Sequence, residues 1–158
     1  MSDDRNTRTY QQRKLSFELV PKPQWKKSLY HILPRQEWDT VRKIVISKQN
    51  RHCGICGSEG SLSCHEQWQY DDKNHIQTLA GVIAICHLCH AIKHYGLTMV
   101  RATEGKEDLN RVIDHYCLVN SCSREEFELD RKEAFHHHHI RSLWQWEQVI
   151  GNYWKLLT

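Results

Sequence analysis

Two pairs of cysteines, each with two residues between its members, constrain this chain more than any other feature of its sequence. The first pair is Cys53 and Cys56, and after 29 intervening residues comes the second pair, Cys86 and Cys89. Zinc takes four ligands in a tetrahedron, and a two-residue spacer lets both thiolates of a pair reach the same ion. The spacing therefore predicts one structural Zn²⁺ held by these four cysteines.

The cysteine count and the short apolar runs indicate where such a protein works. The chain has seven cysteines, and residues 1–14 lack the apolar stretch of a signal peptide. The longest apolar run, residues 79–85, is far short of the roughly 20 residues that a transmembrane helix needs. These features predict a cytoplasmic protein without a membrane partner. Cys64, Cys117 and Cys122 are then expected to be small buried residues rather than ligands.

The charge of the chain is unevenly distributed. Residues 1–52 contain 12 lysines and arginines against 5 acidic residues, whereas residues 53–158 contain 10 against 14. A basic region ahead of a metal module indicates a polyanionic partner, for which nucleic acid is the best match. A solubilising tail would give the same composition, so both interpretations stay open at this point.

Composition and periodicity divide the chain into four regions. Residues 1–20 show no clear periodicity and are predicted to form a flexible basic tail, and residues 21–52 are predicted to form an N-terminal helical segment. Residues 53–102 are predicted to form the zinc module, and residues 103–158 are predicted to form a C-terminal helical extension. The expected fold class is α+β, with a treble-clef zinc module of one β-hairpin and one helix flanked by α-helices.

Local patterns predict the elements of the zinc module. Three glycines within residues 53–60 permit a tight turn around the ion, and the alternating pattern that follows predicts a hairpin. The next helix is expected to end at Gly96. The predicted strands are residues 61–70 and 76–85 with a turn at 71–74, and the predicted helix is residues 87–95.

Helical patterns also occur on both sides of the module. Residues 37–46 and 107–119 have apolar side chains at helical spacing, and a capping box at residues 123–126 starts a third helix. That helix runs into four histidines, residues 136–139, which suit a solvated helix end or an adventitious metal binder. Residues 143–157 fit either a helix face or a strand, and their tryptophans would also suit a contact with a protein partner or a second copy.

Three histidines are predicted to form a second cluster next to the zinc module. His65 lies with Glu66 on the first strand, and His90 and His94 are four residues apart, so they share one face of the helix. Because the zinc joins the hairpin to that helix, His65 can approach the other two. Three such imidazoles could hold a second divalent ion and leave coordination positions open.

These motifs resemble those of a known family. Residues 50–102 look like the HNH, or ββα-metal, endonucleases in their zinc-containing form. The resemblance is carried by C-x2-C at residues 53–56, by C-H-E-x-W-x-Y-D at residues 64–71, and by C-x2-C-H-x3-H at residues 86–94. It implies metal-dependent hydrolysis of a nucleic-acid phosphodiester bond, with double-stranded DNA as the expected partner.

The resemblance also implies roles for the second cluster. His90 and His94 are carried over as ligands of a catalytic divalent ion, which would be Mg²⁺, Mn²⁺, Ni²⁺ or Zn²⁺. Two assignments of the first strand remain open. In the favoured one, His65 is the third ligand and Glu66 takes the position of the general base; in the other, His65 is the base and Cys64 stands on the metal side.

Two departures from the family pattern motivate an alternative function. No asparagine precedes the apolar run of the second strand, where Gly81 lies, and Glu66 replaces a second histidine. A zinc-stabilised module that binds nucleic acid or protein without cleaving it would show the same departures. For contact with nucleic acid, the expected basic residues are Arg42, Lys43, Lys48, Arg51 and Lys93.

Overall fold

The structure, a computed structural model, describes residues 9–157 and combines helices with one three-stranded sheet. The expected α+β class is therefore confirmed. Within this described part of the chain, no helix has the length and apolar content needed to cross a bilayer. The elements are β1 (Ser63–Asp71), β2 (Ile76–Ile85), β3 (Glu147–Val149), α1 (Leu29–Ile32), α2 (Arg35–Lys48), α3 (His87–Lys93), α4 (Tyr95–Thr103), α5 (Leu109–Asn120), α6 (Arg124–Arg141) and α7 (Trp154–Leu157), with 3₁₀ turns at Tyr10–Gln12 and Lys22–Gln24.

The hairpin of β1 and β2 positions the site, with β1 at one edge of the sheet and β2 at its centre. The two strands pair antiparallel, from Ser63 opposite Ile85 to Asp71 opposite Ile76. At the turn, Asp71 Oδ1 accepts a hydrogen bond from the backbone N–H of Asn74 at 3.0 Å, as short polar side chains often do in turns. The predicted hairpin and turn are therefore present.

The helix after β2 breaks earlier than the sequence predicts. α3 ends at Lys93, and His94 leaves the helical conformation with φ −107° and ψ 46°. The prediction that Gly96 ends this helix is wrong, because Gly96 lies inside α4. The hydroxyl of Thr98 donates to the carbonyl of Ala91 at 2.7 Å, so a side chain rather than a glycine cap accommodates the bend.

Residues 9–20 pack on the helices, in contrast to the flexible tail predicted there. Leu15 and Phe17 are buried in the core. The side-chain amide of Asn120 in α5 binds both backbone groups of Leu15, donating to the carbonyl at 2.8 Å and accepting from the N–H at 3.0 Å. An extended segment held by side chains has no helical period, which is why its pattern suggested a tail. The first part of the predicted tail, residues 1–8, lies outside the described residues.

One hydrophobic core joins the hairpin to the helices on either side of it. Buried apolar residues of α2, β2, α3 and α5 belong to a single cluster. Phe17 lies at its centre, with its ring centroid 5.3–5.6 Å from three aromatic rings. Those rings come from α4, α5 and α6 and are Tyr95, Tyr116 and Phe127. The C-terminal helices therefore stabilise the same core that supports the cysteine and histidine residues.

The C-terminal region is helical first and then returns to the sheet. α6 begins at the predicted capping box, in which Ser123 Oγ accepts from the N–H of Glu126 at 3.1 Å. The sequence of residues 143–157 fits a helix or a strand, and both occur there. β3 pairs in parallel with β2, and α7 follows it. Trp146 is buried there, with its ring 5.4 Å from that of Tyr70.

Candidate metal centres and the adjoining cavities

Local backbone geometry brings the two cysteine pairs together. Gly54 leaves no room for a side chain, because an added Cβ would lie 2.6 Å from Cγ1 of Ile83 on β2. Gly57 has a φ of +78°, which residues with side chains rarely adopt. Cys86 is the N-cap of α3, and its sulfur accepts from the N–H of Cys89 at 3.5 Å. The first pair thus lies in a tight turn against β2, and the second at the start of a helix.

The four sulfurs lie close enough to bind one metal ion. One ligand atom each from Cys53, Cys56, Cys86 and Cys89 lies within 4.8 Å of the others, and the Cys56 and Cys86 sulfurs are 3.6 Å apart. A tetrahedral zinc with bonds of about 2.3 Å separates its sulfurs by about 3.8 Å, so the arrangement fits. Hydrogen bonding from Cys89 lowers the pKa of Cys86 well below its usual value, and the same hydrogen bond raises the pKa of Cys89, so Cys86 is the thiolate of this pair and Cys89 holds the proton. Nε2 of His115 lies 3.2 Å from the Cys89 sulfur and can donate to it.

Three imidazoles form a second cluster on the same hairpin and helix. His65 lies on β1 and is 3% exposed, His90 lies in α3, and His94 follows its last residue. One ring nitrogen from each lies within 4.8 Å of the other two, and His65 Nδ1 is 3.2 Å from His94 Nε2. Metal–nitrogen bonds of about 2.0–2.1 Å hold neighbouring ligands about 3.0–3.4 Å apart. The structure therefore brings together the three histidines that the sequence predicted to meet.

Glu18 orients His65 and was not predicted from the sequence. Its Oε2 lies 2.6 Å from Nε2 of His65, and its Oε1 accepts from Nζ of Lys93 at 2.7 Å. A carboxylate on the outer nitrogen of an imidazole fixes the tautomer and the ring direction, an arrangement common around metal-binding histidines. Glu18 and His65 are 47 positions apart, and no local spacing indicates such a pair.

Burial controls the protonation of His90 and His94. It lowers the pKa of His90 to about 4 and that of His94 to about 3, and the charge of His65 acts in the same direction. Burial alone would raise the pKa of Glu18, but His65 and Lys93 outweigh it and lower that pKa to about 2. At neutral pH, His90 and His94 are therefore in the neutral form that binds metals, beside an ionised carboxylate.

The other predicted site residues lie in different environments. Glu66 accepts from the N–H of Leu29 at 2.7 Å through Oε1. Lys93 was expected to contact nucleic acid, but it is 5% exposed and its ammonium is paired with Glu18, so it is not available to a phosphate. The remaining basic residues are exposed or half-buried on α2 and the turn after it, namely Arg42, Lys43, Lys48 and Arg51.

Three cysteines and the histidine tract belong to neither cluster. Within the tract, His137 Nδ1 lies 3.1 Å from the hydroxyl of Tyr10, and His138 Nε2 lies 3.2 Å from the carbonyl oxygen of Val20. Two of its four rings therefore pack on the N-terminal segment. The cysteines outside the metal-binding groups of the described residues are all half-buried, namely Cys64, Cys117 and Cys122.

Two hollows adjoin the histidine cluster. The larger, here called the apolar cavity, has a volume of about 620 Å³ and is bordered by His65, Glu66 and His94. The smaller, here called the arginine cleft, has a volume of about 280 Å³, is bordered by His90 and His94, and contains Arg101. A ligand in either hollow would lie next to the imidazoles.

Comparison with known proteins found no matching family model, no similar curated protein and no similar solved structure. The functional interpretation therefore depends on the chemistry of the two clusters and of the hollows beside them.

Proposed function

We propose that this protein is a metal-dependent endonuclease of the HNH type that hydrolyses phosphodiester bonds in nucleic acid, with DNA as the expected substrate. The observation that carries the proposal is the group of His65, His90 and His94 on a hairpin and helix, next to four cysteines that cluster at the turn before the hairpin and at the start of the helix. In this proposal the cysteines form a treble-clef zinc site with every position filled by protein. Three imidazoles leave positions free for water and substrate, as catalytic sites require.

The donor set of the second cluster fits a divalent ion. Its three donors are imidazole nitrogens, and the measured separation of 3.2 Å between His65 and His94 suits two ligands of one ion. Imidazole prefers Ni²⁺ or Zn²⁺ to Mg²⁺ or Mn²⁺, so the first two are the better matches. Such an ion, when bound, would polarise a phosphate oxygen and stabilise the leaving oxygen.

Glu66 is better placed than His65 to accept the proton of the attacking water. Both ring nitrogens of His65 are engaged, Nε2 with Glu18 and Nδ1 beside His94. Glu66 borders the apolar cavity and is anchored through one oxygen by the N–H of Leu29. Its other oxygen has no hydrogen-bond partner within the described part of the chain. These contacts favour His65 as a ligand and Glu66 as the general base.

Arg101 supplies a positive charge in the arginine cleft. It lies in the last turn of α4, is exposed, and has no ion pair with any described residue. A guanidinium can bind two phosphate oxygens at once, which a point charge cannot do. We assign Arg101 to the phosphate at or next to the cleaved bond. The exposed cations of α2 and its following turn, Lys43, Lys48 and Arg51, would bind phosphates further along the strand.

Cleavage of a supercoiled plasmid tests the proposal. We expect nicked or linear product with Ni²⁺, Zn²⁺, Mn²⁺ or Mg²⁺, and loss of that product in His94→Ala. The matched control is His139→Ala, which removes an exposed histidine that belongs to neither cluster. Circular dichroism would show that both variants are folded. If no ion supports cleavage of the plasmid, of a single strand or of a bulged duplex, or if the two variants cleave alike, the nuclease proposal is wrong.

A zinc-stabilised binding module without catalysis is the second candidate. It is favoured by Gly81, which lies opposite Gln67 at the irregularity of the hairpin and provides no side-chain ligand. Metal counting separates the two functions. The nuclease is expected to bind two ions per chain and His94→Ala one, whereas the binding module would hold one zinc in both proteins. The module would also bind DNA in a salt-dependent manner without cleaving it.

A further inference from the structure

The apolar cavity is larger and less polar than a groove for a phosphate backbone requires. Its volume of about 620 Å³ lies within the usual range of small-ligand sites, roughly 300–1,000 Å³. A polyanionic backbone gains little from apolar walls, so the group that fills this cavity is itself apolar. Its lining comes from six separate parts of the chain, and its apolar members include Trp25, Trp68, Leu97, Met99, Val100 and Phe135.

Trp25 offers this cavity an aromatic surface whose orientation is already fixed. Its side chain is 57% exposed, and its Nε1–H donates to the carbonyl of Val20 at 2.8 Å. Because the hydrogen bond orders the ring before any ligand arrives, stacking on it costs less conformational entropy. Nucleobases of every kind stack on indole rings, since each base has a flat π-face. An ordered, exposed tryptophan in the cavity that His65 and His94 also border therefore suits a base.

Cations border the same cavity. Lys22, Lys26 and Lys27 are all exposed, and Lys27 Nζ donates to the side-chain oxygen of Gln24 at 3.2 Å. Neither of the other two lysines has an ion pair with any residue in the described range 9–157. The half-buried carboxylate of Glu18 in the cavity wall is already paired. Apolar walls with a cationic rim match a base whose neighbouring phosphates stay at the surface.

We infer that the apolar cavity holds one unpaired nucleobase of the substrate strand, next to the bond that is cleaved. The inference rests on the proposed function for its choice of nucleic acid as the ligand. In an intact duplex the bases are paired and stacked, and none can enter the cavity unless it is flipped out of the helix. The substrate class is therefore DNA or RNA that is single-stranded, bulged or mismatched at the cleaved bond, rather than intact double-stranded DNA.

Binding of oligonucleotides that carry one 2-aminopurine tests this inference. The probes are a single strand, a duplex with that base bulged, and the intact duplex, in DNA and RNA versions, at one salt concentration and without added divalent metal. We expect the unpaired forms to bind at least about tenfold more tightly than the intact duplex, with the fluorescence of the base quenched by stacking. Trp25→Ala should weaken the binding of the unpaired forms roughly 5- to 150-fold. Trp144→Ala, which removes another exposed tryptophan, should change the affinity for the unpaired forms less than about twofold.

Binding and cleavage are judged separately, so the two proposals fail in different ways. Equal affinity for paired and unpaired forms, no affinity for either form, or equal effects of Trp25→Ala and Trp144→Ala would overturn the base-binding inference. The nuclease proposal is tested by plasmid and bulged-duplex cleavage with added metal. If unpaired strands bind through Trp25 but nothing is cleaved, the nuclease fails and the base cavity stands. If the intact duplex is bound and cleaved as well as the bulged one, the nuclease stands and the base cavity fails.

Discussion

At the scale of single residues, burial has already deprotonated two of the three proposed ligands of the second ion. The pKa of His90 is about 4 and that of His94 about 3, whereas an ordinary histidine titrates near 6.5. A lower pKa means that protons compete with the metal only in more acidic solution. Between pH 6.5 and 5, we therefore expect Ni²⁺ affinity for this cluster to fall by at most about tenfold per pH unit, the effect of one proton. Calorimetric titration of the zinc-loaded protein across this range would measure the slope, and a loss of two or three protons per ion would contradict the prediction.

Glu18 provides a second prediction at this scale. If it orients His65 for a metal, Glu18→Gln should weaken Ni²⁺ binding about 10- to 100-fold. The same change leaves the buried ammonium of Lys93 without its carboxylate, which destabilises the fold by itself. The double variant Glu18→Gln with Lys93→Met removes both charges and should recover stability without recovering metal affinity. Recovery of wild-type affinity in the double variant would mean that Glu18 serves only to neutralise Lys93. The matched control is Glu125→Gln, which makes the same change at an exposed position.

The sequence predicted which cysteines and which histidines come together, but it missed the residues that contact them. Ligand pairs such as Cys86 and Cys89 or His90 and His94 are local, because three- or four-residue spacing on a turn or helix places both side chains on one ion. Glu18 contacts His65 across 47 positions, through a segment whose extended backbone carries no periodic signal. Lys93 was misassigned for the same reason, since its buried partner cannot be seen from its neighbours in sequence.

At the scale of elements, the break between α3 and α4 lets us predict the effect on stability of replacing Gly96. The residue lies inside α4, has an ordinary negative φ, and has no atom within 4 Å of an added Cβ. Because alanine has the higher helix propensity, Gly96→Ala should stabilise the protein by about 0.5–1 kcal/mol. Urea denaturation would measure the change in unfolding free energy. Destabilisation by a similar amount would mean that Gly96 adopts the left-handed conformation of a helix terminator.

Elements with a strong period or turn signal were predicted well, and elements held by distant contacts were not. The hairpin follows from its alternating strands and from Asp71 at the turn, and α6 follows from its capping box at Ser123. Residues 9–20 and β3 depend instead on partners far along the chain, such as Asn120 for the first and β2 for the second. The local sequences of these two segments therefore do not distinguish between a tail, a helix and a strand.

At the scale of the whole molecule, the cysteine cluster joins the turn at Cys53 and Cys56 to the junction of β2 and α3. His90 lies in α3, and His94 follows its last residue. Cys53 and Cys89 belong to the hydrophobic core and Ile55 packs against it, so loss of a shared ion would leave four closely spaced sulfurs without that ion inside the folded protein. Removal of zinc with a strong chelator should therefore lower the thermal unfolding midpoint by at least about 10 °C and abolish Ni²⁺ binding at the histidine cluster. Re-addition of one equivalent of Zn²⁺ should restore both properties, and His94→Ala should show the same zinc-dependent change in midpoint as the wild type. A metal-free protein that unfolds at the wild-type midpoint would mean that the core alone sets the geometry, and the cysteines would then have no role in bringing His65 to His90 and His94.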